Sequence, residues 1–247
     1  MKNKFALDGS SAAEEVHDDG DHGQDQQEVD QPAGDVKCGP SQRPYDEQYK
    51  KQREEHTIKP PMSYEHPKGQ ASSASACAVF FDRDGTLMED VHYCADPSLV
   101  KIYPGVPDAL RQLRTAGFRT FVITNQSGIG RGLITEAQYR AVAAEFLRQI
   151  GEGLIDATYF CPDAPDVPST RRKPEPGMVL EAAADFGIRL AASYFVGDKC
   201  ADIGCGRRAG TRTIQVRTGY GSQAEQECRP DLIADDVVDA VRWILRQ

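Results

Sequence analysis

The chain has 247 residues, a mass of 27.1 kDa and a formal charge of −9, which allows one ordinary domain with an appendage or two small ones. The acidic balance excludes a nucleic-acid-binding surface over the whole protein, because phosphate backbones need a basic footprint. No apolar run approaches the length of a membrane span, no apolar stretch of signal-peptide length follows Met1–Ser10, and a cytoplasmic protein is expected.

The first 76 residues carry a net charge of −6 and only six Leu, Ile, Val or Phe residues. Such a segment cannot bury enough apolar surface to offset the entropy of ordering it. Residues 1–76 are therefore expected to be a disordered acidic and polar extension whose partner the sequence does not reveal. Within it Tyr45–His56 forms at most a transient helix. Lys59-Pro60-Pro61 and Ala71–Ala76 read as linker. The folded domain is placed at 77–247.

Ala78–Phe81 is a short apolar run ending at Asp82, the pattern of a buried strand. Gly105–Ala116 has Val106, Leu110 and Leu113 at helical spacing and stops at Gly117. Phe118–Thr124 is the second strand, with adjacent rather than alternating apolar residues, which marks burial on both faces. Thr135–Ile150 is an amphipathic helix opened by a Thr135-x-x-Gln138 capping box. Ala157–Phe160 is the third strand. Pro176–Phe186 is a helix ended by Gly187. Tyr194–Val196 is the fourth strand, followed by a short helix at Ala201–Ala209 and a fifth strand at Thr213–Val216. A sixth strand at Asp231–Ala234 and a closing helix at Asp236–Leu245 complete the alternation. The pattern predicts a doubly wound, Rossmann-like parallel α/β sheet.

In such sheets ligands bind beyond the carboxyl ends of the strands. Four polar clusters fall there: Asp82-Arg83-Asp84-Gly85-Thr86, Thr124-Asn125-Gln126-Ser127, Arg172-Lys173-Pro174 and Gly197-Asp198-Lys199, with Asp202 following. Together they offer carboxylates for a hard divalent cation, a hydroxyl, and an ammonium to neutralise phosphoryl oxygens. An aspartate can serve as nucleophile, and a second carboxylate two residues on can protonate the leaving oxygen and then activate water.

These residues resemble the haloacid dehalogenase superfamily, whose first motif is Asp-x-Asp-Gly-Thr. The stretches 124–132, 172–178 and 196–199 are similar to those of the heptose bisphosphate phosphatases and their histidinol-phosphate phosphatase relatives. The resemblance covers about 77–222. It implies a Mg²⁺-dependent phosphatase acting on a small phosphorylated sugar, with histidinol phosphate or another small phosphomonoester as the alternative. The contrasting class is a scaffold that acts through its tail. The implied catalytic residues are Asp82 as nucleophile, Asp84 as acid and base, and Thr124 and Lys173 on the phosphoryl group. Asp82, Asp84 (through its carbonyl) and Asp198 are the implied metal ligands, with Asp202 outside that set. Asp90, Val91, His92, Tyr93, Asn125, Gln126, Ser127, Arg172 and Lys199 are the implied substrate contacts.

The spacing adds that the site lacks a cap domain. About twenty residues separate Asp84 from the helix at Gly105, and the span of 49 positions from Thr124 to Lys173 is filled by a helix, a strand and a loop. One departure concerns a structural zinc that the resembling family usually carries before the Arg-Lys motif. The corresponding residues here are Cys161, Asp163, Ser169 and Arg171, so no zinc is expected. Seven scattered cysteines fit reduced thiols, with Cys200 and Cys205 as small packing residues.

Overall fold

The computed structural model describes residues 54–58, 76–224 and 228–247. The apolar runs become strands buried on both faces: β2 (Ala78–Phe81), β3 (Arg119–Asn125), β4 (Ala157–Cys161), β5 (Tyr194–Gly197) and β6 (Arg212–Val216). With β1 (Thr57–Ile58) and β7 (Leu232–Ala234) they form a seven-stranded sheet in the order β1-β4-β3-β2-β5-β6-β7. All pairings are parallel except β1 with β4.

Side-chain alternation along each strand splits the core. Val79, Phe81, Val122, Val196 and Ile214 point to one face. They are covered there by α1 (Val106–Thr115), α3 (Glu136–Ile150) and α7 (Val237–Ile244). Phe80, Phe121, Ile123 and Phe195 point to the other face, under α4 (Gly177–Phe186) and α5 (Cys200–Ala209). Phe80 sits between Phe121 and Phe195 in register, with ring centroids 5.3 and 6.5 Å away. Offset stacking of this kind adds to the burial of the rings.

The expected elements appear in the expected order, their ends differing by a residue or two. The capping box forms: Gln138 N donates to Thr135 Oγ1 and Thr135 N donates to Gln138 Oε1. Two single-turn helices, α2 (Ser127–Gly130) and α6 (Gly221–Ala224), were not foreseen. The extension and linkers expected over 1–76 lie outside the described residues except at 54–58 and Ala76. There the boundary at 77 needs correction. His56 O accepts from Phe160 N, and β1 adds an antiparallel edge to β4.

Between Asp84 and α1 lie loops and one 3₁₀ turn (Pro97–Leu99), and among the described residues no inserted domain covers the carboxyl ends of the strands. No helix of the described residues is long and apolar enough to cross a membrane.

Candidate active site

The chain leaves β2 at the centre of the sheet, turns through β3 and β4 on one side, then crosses to β5 on the other. This reversal opens a crevice at the carboxyl end of β2, where open α/β sheets bind ligands. Asp82 is the first residue past β2, Thr124 is the last but one of β3, and Asp198 is the first past β5.

A cleft of about 290 Å³ opens there. It is lined by the expected Asp82, Asp84, Thr124 and Lys173, by Asp90 to Tyr93, by Asn125 to Ser127, and by Arg172 and Lys199. Asp198 lies behind this lining, fully buried. Arg83, Cys94 and Asp202 line the cleft as well.

Lys173 Nζ stands 2.6 Å from both Asp82 Oδ1 and Asp202 Oδ1 and donates to Ile123 O at 2.9 Å. Burial alone would lower the pKa of this ammonium, but Asp202 and Asp82 outweigh it and the net shift is upward. Burial is also the largest influence on Asp82, whose carboxyl is raised although Lys173 opposes the rise. Asp198 is pushed up to about 8, by burial first and then by the charges of Asp82 and Asp202. Three buried carboxylates, Asp82, Asp198 and Asp202, offer oxygens all within 4.8 Å of one another. This is a donor set of hard oxygens whose mutual repulsion a hard divalent cation relieves. Asp202 is thus closer to the cluster than expected. Its second oxygen accepts from Lys199 N at 2.9 Å, which fixes the start of α5.

Glycine lets the main chain reach Asp198. Gly85 has φ +83°, and a Cβ there would lie 2.4 Å from Asp198 Oδ2. Thr86 Oγ1 donates to Asp198 Oδ1 and Tyr220 N to Asp198 Oδ2.

The Asp84 carboxylate lines the same cleft outside this cluster. Arg83 holds it through Nε and Nη2, and Gln126 Nε2 donates to it at 2.9 Å while also donating to Thr124 Oγ1. Arg83 is itself buried, with its guanidinium 5.3 Å from the Tyr139 ring centroid. Asn125, expected as a substrate contact, lines the cleft and also holds the main chain of Lys173. Its Oδ1 accepts from Lys173 N and its Nδ2 donates to Lys173 O, both at 3.0 Å, so the amide clamps the main chain that presents Lys173. Arg172 Nη1 donates to Asp163 O, and Lys199 Nζ lies 3.1 Å from Asp90 Oδ2.

Cys161, Asp163, Ser169 and Arg171 also converge. Cys161 Sγ donates to Asp163 Oδ2, lies 3.6 Å from Ser169 Oγ, and Ser169 Oγ accepts from Arg171 N. Cys200 is not a free packing residue but forms a disulfide with Cys228, while Cys205 is free and buried.

A family model described as "HAD-hyrolase-like" matches residues 170–240. The D-glycero-D-manno-heptose-1,7-bisphosphate 7-phosphatase of Chlorobaculum tepidum is 37% identical over 193 residues, 70% of this chain and 96% of its own length. The chain belongs to the haloacid dehalogenase superfamily, in the family of the heptose bisphosphate phosphatases. Another relative in the family, from Yersinia pestis, is 38% identical over 69% of this chain and 96% of its own. The solved D,D-heptose 1.7-bisphosphate phosphatase of B. bronchiseptica, complexed with magnesium and phosphate, aligns with a TM-score of 0.65. It is 30% identical and covers 69% of this chain and 98% of its own. Phosphatases of this superfamily need a divalent metal, and the carboxylate cluster suits one.

Proposed function

We propose that the protein hydrolyses the 7-phosphoryl group of D-glycero-D-manno-heptose 1,7-bisphosphate in the presence of Mg²⁺, through an aspartyl-phosphate on Asp82. The observation that carries this reading is the contact of Lys173 with Asp82 inside three clustered carboxylates, at the reversal point of a sheet whose relatives bear that activity in their names.

A Mg²⁺ ion held by Asp82, Asp198 and the Asp84 carbonyl, with Asp202 beside them, would neutralise charge on the transferring oxygens. An Asp82 carboxylate oxygen attacks phosphorus, and the bond from phosphorus to the sugar oxygen breaks. The Lys173 ammonium and the Thr124 hydroxyl hold the phosphoryl oxygens. Asp84 gives its proton to the departing sugar oxygen. It then takes a proton from the water that attacks the aspartyl-phosphate, which frees the Asp82 carboxylate and inorganic phosphate. Arg83 and Gln126 aim Asp84 for both transfers, and Asn125 keeps Lys173 in place. A scaffold role is disfavoured because Asp82, Asp84, Thr124, Lys173 and Asp198 are all present.

The test is phosphate release from wild type and Asp82→Asn with heptose 1,7-bisphosphate and with histidinol phosphate. The bisphosphate is expected to be preferred, and Asp82→Asn to lose at least about 10³-fold in kcat with an unchanged thermal midpoint. Full activity in Asp82→Asn overturns the nucleophile. Better turnover of histidinol phosphate overturns the substrate.

A further inference from the structure

The loop after β6 lies against the floor of the cleft. Thr218 Oγ1 donates to Gly85 O at 2.6 Å, and Tyr220 N donates to Asp198 Oδ2 at 2.9 Å. Between them Gly219 has φ +57°, and a Cβ there would lie 2.3 Å from Asp198 Oδ2 and 2.7 Å from Gly85 Cα. Only a main chain without a side chain approaches this closely, and the approach fixes where the Tyr220 side chain begins.

That side chain reaches two rim elements at once. Its ring centroid lies 4.6 Å from Lys199 Nζ, and its hydroxyl shares a 3.1 Å hydrogen bond with His92 Nε2. Tyr220 is not among the residues that line the cleft. It stands behind two that do.

We propose that Tyr220 is a specificity-determining positioning residue, which joins Lys199 and His92 into one rim that receives the phosphoryl group of the substrate not being hydrolysed. The assignment rests on the bisphosphate reading above.

The physical basis is the kind of partner that Tyr220 gives Lys199. The ammonium also faces Asp90, 3.1 Å away. A carboxylate as sole partner would draw the ammonium to itself and cancel much of its charge. An aromatic face attracts it through the ring quadrupole and carries no net charge, so the ammonium stays placed and remains available to an anion. The hydroxyl does the same for His92, on a loop whose next residue, Tyr93, has φ +48° and accepts from Arg131 Nη1. Tyr220 is half-buried, and its bond to Asp198 is made by the main chain. Side-chain substitutions therefore separate the rim from the floor.

The experiment measures kcat and KM for wild type, Tyr220→Phe and Tyr220→Leu. The substrates are heptose 1,7-bisphosphate and heptose 7-phosphate, which lacks the second phosphoryl group. Tyr220→Leu is expected to raise KM for the bisphosphate about tenfold, with kcat within about twofold and the monophosphate KM unchanged. Tyr220→Phe keeps the ring and loses the hydroxyl, so its bisphosphate KM should rise about two- to threefold, again with no change for the monophosphate. It also serves as the test if Tyr220→Leu does not fold. Equal effects on both substrates, a fall in kcat alone, or an unchanged preference each overturn the assignment. A wild type that does not prefer the bisphosphate overturns the substrate reading itself, before any variant is compared.

Discussion

Arg171 and Glu181 pair in the interior, each nearly inaccessible to water, and the pair joins the loop that presents Lys173 to helix α4. Arg171 Nη2 also donates to Phe160 O at 3.1 Å and to His56 O at 3.5 Å, so one guanidinium ties the loop to β4 and to the turn before β1. It occupies one of the four positions at which the resembling phosphatases carry zinc ligands. An ion pair this deep is costly to break from one side, because a buried charge is left without its counterion. Glu181→Ala is expected to lower stability by about 3 to 5 kcal/mol, and the Arg171→Leu/Glu181→Leu double variant by less than that. Urea denaturation of both measures the difference. A double variant worse than Glu181→Ala would show that the pair is not what anchors the loop. Metal analysis of the purified protein should find no stoichiometric zinc.

The strands were legible in the sequence because each is a run of adjacent apolar residues, and burial on both faces leaves that mark. The site was legible for a related reason: Asp82, Thr124 and Asp198 each stand at the end of such a run. What escaped depends on distance in the chain. Two-residue β1 has a single large apolar side chain, Ile58, and owes its place to main-chain bonding with β4. Tyr220 follows no motif and meets the site only because the β6 loop returns to Asp198. Asn125 has the composition of a substrate contact, and the sequence does not show that its amide also bonds the Lys173 main chain at both ends. Residue type cannot reveal such an engagement.

The carboxylate cluster makes metal binding and folding depend on pH in opposite senses. Asp198, pushed up to about 8, keeps a proton in the metal-free fold that the unfolded chain releases near its ordinary value of 3.8. Its folded pKa is the higher one. Its contribution to stability is therefore complete at low pH and is lost as pH rises from 3.8 through about 8. A cation replaces that proton, so affinity for Mg²⁺ should rise between pH 6 and 8 by up to about tenfold per unit. Calorimetry in buffers of different ionisation enthalpy reads the released proton directly. Affinity that stays flat over this range, with no proton released, would contradict the buried protonated carboxyl.

Removing the segment before residue 77 and removing only the part before residue 54 should have different consequences. The shorter deletion keeps β1. The longer one takes away His56 O, which accepts from Phe160 N and Arg171 Nη2, and the His56 ring, whose centroid lies 5.0 Å from that of Phe160. It also removes Ile58 and so uncovers the Tyr139 and Phe160 side chains that Ile58 packs near. Left without partners, these donors and apolar atoms should cost the chain beginning at residue 77 about 1 to 3 kcal/mol relative to the chain beginning at residue 54. Thermal or urea melts of the two chains give the comparison. Equal stability would return the domain boundary to residue 77.

The odd number and scatter of the cysteines gave no hint of the Cys200–Cys228 bridge, because the pairing depends on where the β6 loop returns. Cys200 opens α5, two residues past Asp198, and Cys228 closes the loop that carries Tyr220; the two lie 28 positions apart. Closing a ring of that size restricts the unfolded chain, and Cys228→Ser should lower stability by about 3 kcal/mol under oxidising conditions and not at all in excess dithiothreitol. The free thiols of Cys161 and Cys205, both buried, should be slow to react. Burial pushes Cys161 up to about 11 and Cys205 up to about 12. At pH 8 only about one Cys161 thiol in a thousand is then ionised, and the thiolate is the reactive form. Alkylation of the native, unreduced protein followed by peptide mapping should leave Cys161, Cys205, Cys200 and Cys228 unmodified. Labelling of Cys200 or Cys228 without a reductant would mean that the two stand as free thiols, and the stability of Cys228→Ser would then match wild type in either buffer.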